Sequence, residues 1–101
     1  MDALNYGIAL LRVAVGSKES EKEEYCKKAE KMFRKVLSLN PEPHEAYKAL
    51  YGLGYSLCLQ GRGDEALKVL KVLHEILRDK CDPKLSSEDV DKLIDWCQQG
   101  L

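Results

Sequence analysis

Apolar residues recur at three- and four-residue steps along nearly the whole chain, and no stretch sustains the period-two alternation of a half-buried strand. The pattern predicts an all-α chain of about five helices. A first helix, from about Asp2 to Val15, is apolar on almost every face and stops at Gly16-Ser17. In a second, Tyr25, Ala29, Met32, Phe33, Val36 and Leu37 form one stripe. Ser20 and Glu23 have the spacing of a capping box, with Ser17 as an earlier cap, and the helix ends before Asn40-Pro41. A third starts near Pro43, which the first helical turn tolerates, and runs to Gln60 before the break at Gly61-Arg62-Gly63. Asp64 is placed to cap a fourth, whose buried side is marked by Ala66, Leu67, Leu70, Leu73, Ile76 and Leu77 and which ends at Cys81-Asp82-Pro83. A fifth, short and amphipathic, begins after Ser86 with Asp89 three positions on and carries Val90, Leu93, Ile94 and Cys97.

Composition narrows the picture. One hundred and one residues, 45% hydrophobic and 33% charged, suit a single folded domain over 1–101. Sixteen basic and seventeen acidic side chains interleave to a net charge of −1, which gives no basic face for nucleic acid. The apolar run Ala3 to Val15 is broken by Asn5 and Arg12 and falls short of the ~20 residues that span a bilayer. No membrane insertion by this chain is expected. The start Met1-Asp2 and the internal Arg12 do not suit a secretory leader, and Cys26, Cys58, Cys81 and Cys97 form no close pair. The expectation is a reduced, cytoplasmic protein.

Self-similarity adds a family resemblance. Ala29-x3-Phe33 followed by Leu39-Asn40-Pro41 resembles the second-helix pattern of a tetratricopeptide repeat (TPR). Leu53-Gly54-x2-Leu57, Gly61, Ala66 and Leu70 are similar to the rest of such a unit. The marker alanines Ala29 and Ala66 are thirty-seven positions apart, against about 34 for consecutive repeats, and the first unit carries ten extra residues between Gly7 and Ala29. The resemblance implies unit one at 2–40, unit two at 43–80 and a capping helix at 86–98. A narrower resemblance, to mitochondrial fission adaptors, rests on Tyr6 to Arg12 and Val90 to Asp95, while the charged segment Glu19 to Lys35 departs from it.

In tetratricopeptide stacks the first helix of each pair lines a concave surface that holds a partner peptide or helix. Carried over by position, this implies partner contacts at Leu4, Ile8, Leu11 and Arg12, and at Lys48, Tyr51, Tyr55, Cys58 and Leu59. Tyr47, Tyr51 and Tyr55 share a helix face, and tyrosine joins a large apolar body to a hydrogen-bonding tip. The chaperone-tail clamp of the family is missing, since Leu4, Ile8, Gly52 and Tyr55 stand at its places.

No catalytic residues are expected. Ser-His-Asp and Cys-His pairings are not legible, His44 and His74 lack a second ligand one turn away, and Gly61-Arg62-Gly63-Asp64 lacks the spacing of a phosphate loop. No metal and no cofactor are expected. The chain is expected to be a non-enzymatic protein-binding adaptor. The alternatives are a homodimer formed through the apolar first helix, or the cytosolic domain of a fission-type membrane adaptor. Trp96 is expected to pack on the preceding helix pair.

Overall fold

The structure, a computed structural model, describes residues 3–79 and 87–99. These form five α-helices and no strand: α1 (Ala3–Val15), α2 (Glu19–Ser38), α3 (Pro43–Leu59), α4 (Gly63–Asp79) and α5 (Ser87–Gln98). Each helix packs on the next, and α3 also touches α1 and α5. Short connections between neighbours make α1 and α2, α2 and α3, and α3 and α4 antiparallel. Because α1 and α3 both run against α2, they point in the same direction, and they touch each other. The order is the one read from the apolar periodicity, and the proposed stops at Cys81-Asp82-Pro83 and Ser86 lie outside the described residues.

The stripes face one core, in which Phe33, Leu57, Leu70, Leu73 and Val90 are fully buried. On α2 the buried residues are Cys26, Ala29, Phe33 and Val36, while Tyr25, Met32 and Leu37 sit half-buried at the edge of the stripe. The Gly54 backbone lies beneath Leu70, where a side chain on α3 would meet the leucine Cδ2 at 2.5 Å. This is how α3 and α4 approach closely, and Ala66 is fully buried in the same core. The single fully buried polar side chain among the described residues, Ser56, donates its hydroxyl to the Leu53 carbonyl at 2.9 Å. That bond removes the cost of an orphaned hydroxyl.

The helix ends differ from the sequence expectations in two places. Ser17 and Ser20 do not cap α2: the Ser17 hydroxyl donates to the Val13 carbonyl at 2.6 Å, so it closes α1, and Ser20 lies within the first turn of α2. Asp64 is likewise inside α4 rather than at its cap, because the first helical bond is accepted by the Arg62 carbonyl from Ala66 at 3.0 Å. A first-turn carboxylate still interacts favourably with the helix dipole. Glu42 precedes Pro43 and donates its backbone N–H to the Glu45 carboxylate at 3.2 Å. Among the described residues two turn residues have positive φ, Asn40 at 55° and Gly61 at 78°. Asn and Gly carry the smallest steric penalty there.

Two groups of interactions join helices distant in sequence. Glu30 on α2 meets Arg62 at 2.8 Å, accepts from Gln60 at 3.0 Å and pairs along its own helix with Arg34 at 3.0 Å. Arg62 also pairs with Glu65, so α2 is tied to the turn before α4. Cys58 of α3 and Cys97 form a disulfide to α5, with Cα atoms 5.8 Å apart. This overturns the expectation of reduced cysteines at these two positions. Widely spaced cysteines on separate helices gave no sequence signal of pairing, and only the packing of α5 on α3 brings them together. Trp96 packs beside that bridge against Tyr55, their ring centroids 5.3 Å apart.

Candidate functional site

A hollow of about 430 Å³ lies between α1 and α3. Its α1 wall consists of Ile8, Leu11, Arg12 and Val15, and its α3 wall of His44, Tyr47, Lys48, Tyr51 and Tyr55. Both sets follow three- and four-residue steps, so each helix presents one continuous face to the hollow. Along α3 the lining from His44 to Tyr55 extends about 16 Å at the ordinary helical rise. This is an elongated groove, long enough for about three turns of a partner helix.

Glycine sets the depth of the floor. The Phe33 ring, fully buried and reaching up from α2, sits between Gly7 on α1 and Gly52 on α3. A methyl group on Gly7 would come within 3.0 Å of the ring, and one on Gly52 would overlap it. The two glycines therefore let one aromatic ring fill the space under both walls, and the groove above it is lined with apolar surface.

Six of the nine residues expected to meet a partner line this groove: Ile8, Leu11, Arg12, Lys48, Tyr51 and Tyr55. Three do not. Leu4 is 7% exposed in the core and borders a second, smaller hollow of about 280 Å³ with Val36, Leu39 and Pro41. Cys58 is 3% exposed and bonded to Cys97. Leu59 is half-buried and outside the groove lining. The physical reason at that end of α3 is α5, which covers it through Trp96 and the disulfide. Positions transferred from an open stack do not anticipate a helix that folds over the last turn.

The groove also holds Val15, Phe33, His44, Tyr47 and Gly52, of which only Tyr47 had been marked, by the face it shares with Tyr51 and Tyr55. Four of them carried a signal. Val15 continues Ile8 and Leu11 by one turn, Tyr47 precedes Tyr51 by four positions, His44 precedes Lys48 by four, and Gly52 interrupts a large-residue helix. Phe33 carried none, because it belongs to the second helix of its pair.

The groove is positively charged at its rim. Arg12 and Lys48 form no ion pair among the described residues, and no Asp or Glu lines the hollow. Tyr51 has its phenol pushed above the usual tyrosine range by burial first, and then by the charges of Asp89 and Tyr55. The hydroxyl thus stays protonated, available as a donor, well into alkaline pH. Tyr51 and Tyr55 stack at 6.5 Å with their rings tilted.

Among the described residues no three of His, Cys, Asp and Glu converge on a point that a metal ion would occupy. His74 pairs with Asp91 at 3.0 Å across α4 and α5, away from the groove. Among the described residues no helix is long and apolar enough to cross a membrane. In comparison with known proteins, no family, no curated protein and no solved structure matches this chain.

Proposed function

We propose that the chain is a non-enzymatic adaptor that holds a peptide or helix of another protein in the groove between α1 and α3. The observation that carries this reading is the groove itself, about 430 Å³, elongated and walled by Ile8, Leu11, Val15 and three tyrosines. Aromatic residues in a desolvated hollow are the usual anchors of protein interfaces, and an apolar trough about three turns long suits a helix laid in a groove. The tetratricopeptide resemblance supports the same surface by a separate route, since the first helices of both units supply the walls.

The test is an affinity capture from lysate with the intact protein and with a Tyr47→Ala/Tyr51→Ala variant whose helical circular dichroism is unchanged. A partner retained by the first and lost by the second supports the groove. Equal recovery by both places binding elsewhere and overturns it.

A second reading has its own observation. On α1, Tyr6 and Val13 are 47% and 48% exposed, seven positions apart on one face of the helix. Such a stripe on an end helix favours self-association through α1. Sedimentation at rising concentration decides it, and a mass that stays monomeric to about millimolar protein removes this reading.

A further inference from the structure

The groove carries an electrostatic imbalance that its apolar walls do not explain. The chain as a whole is slightly acidic, with a net charge of −1, and its glutamates and aspartates pair readily elsewhere: Glu23 with Lys27, Glu24 with Lys28, and Glu30 with both Arg34 and Arg62. Like several surface lysines, Arg12 and Lys48 form no ion pair among the described residues, but of these cations they are the two that line the groove. They come from different walls of one hollow, each is a long cation beside apolar side chains, and neither meets a carboxylate among the described residues.

An uncompensated cation at the edge of a low-dielectric trough interacts with an incoming anion more strongly than one on open surface. Burying the trough under a neutral apolar partner would desolvate both cations without return, which opposes binding. A partner that carries carboxylates beside its apolar anchors removes that cost and gains charge-assisted hydrogen bonds from the arginine and lysine. From α5, the Asp89 carboxylate acts on Tyr51.

Resting on the adaptor reading above, we infer that the partner is an acidic amphipathic peptide segment, its apolar side chains over Phe33 and its carboxylates on Arg12 and Lys48. Length favours a peptide over a single small molecule. The lining runs about 16 Å along α3, longer than a single small ligand head fills. The partner's carboxylates meet one cation on each wall, Arg12 on α1 and Lys48 on α3.

The experiment is selection of phage-displayed random 16-residue peptides on the intact chain. Counter-selection uses the Tyr47→Ala/Tyr51→Ala variant and, because aromatic loss can disturb folding, the half-exposed Val15→Gln variant as a second groove probe. Groove-dependent peptides are expected to carry at least two Asp or Glu next to their apolar positions. Their affinity is expected to fall at least tenfold in an Arg12→Glu/Lys48→Glu variant, and several-fold between about 50 and about 500 mM salt. Groove-dependent peptides that are neutral or basic overturn the acidic partner while leaving the adaptor reading intact. Peptides that bind all variants equally, or no binders at all, overturn both. A twelve-carbon alkyl carboxylate is titrated in parallel: tight binding of it alone, with no acidic peptide recovered, assigns the cations to a small amphiphile and overturns the peptide form.

Discussion

Gly52 on α3 leaves open the volume that the Phe33 ring of α2 occupies, and Gly7 on α1 does the same from the other side. One ring is thereby held between two helix backbones with no room to move away from either. Core packing at this density converts a single added methyl group into strain.

Gly52→Ala is therefore expected to destabilise the fold, although alanine is the better helix former by about 1 kcal/mol. Overpacking costs about 1–3 kcal/mol or more, and a ring wedged against both Gly7 and Gly52 puts this site at the upper end. The net loss is expected near 1–2 kcal/mol, read as a lower urea midpoint at unchanged slope. Gly63→Ala is the control, since nothing lies within 4 Å of a side chain there and its φ is not positive. A gain of about 0.5 kcal/mol is expected, and equal effects at both glycines would refute the packing argument.

The Cys58–Cys97 bridge closes a loop of thirty-nine positions. In the chain-entropy account a loop of that length contributes about 4 kcal/mol, with measured losses on removal of about 2–5 kcal/mol. A Cys58→Ala/Cys97→Ala variant is expected to unfold at correspondingly lower denaturant than the oxidised protein. The same measurement on wild-type protein in excess dithiothreitol should give a loss of similar size. Non-reducing peptide mapping should recover a linked peptide containing both cysteines, and its absence from protein purified under air would remove the bridge.

Cys26 is buried on α2, and burial first, helped by Glu23 and opposed by Lys22, raises its thiol above the usual cysteine range. The thiolate is the reactive species. Alkylation of native protein near pH 8 is expected to modify Cys26 at least tenfold more slowly than a free cysteine peptide. Urea above the unfolding midpoint should abolish the difference.

The Glu30 carboxyl is held below the usual range. Burial is the largest single influence and raises it, but hydrogen bonds from Gln60 and Arg34 and the charges of Arg62 and Arg34 together outweigh burial. A carboxyl lowered in the folded state contributes stability above its unfolded pKa and loses it as pH falls through the folded value. Glu30→Gln is expected to lower stability at pH 7 by about 1–2 kcal/mol, the size of a charge-assisted hydrogen bond at a half-screened site. The difference between variant and parent should shrink as pH drops below 4. A constant difference from pH 7 to pH 3 would show that the carboxylate charge is not what matters.

The number, order and approximate limits of the five helices were legible in the chain because an α-helix declares itself locally, through side chains three and four positions apart. The three ion pairs Glu23–Lys27, Glu24–Lys28 and Glu30–Arg34 were legible for the same reason. Both walls of the groove were largely readable, since each is one face of one helix. What packing alone decided joins residues far apart in the chain: the Phe33 floor under Gly52, the bond from Arg62 to Glu30, the pairing of Cys58 with Cys97, and the withdrawal of Leu4, Cys58 and Leu59 from the groove. Periodicity fixes which face of a helix is apolar. It does not say which neighbour covers that face, and here α5 lies over one end of α3 while the rest of the wall stays open.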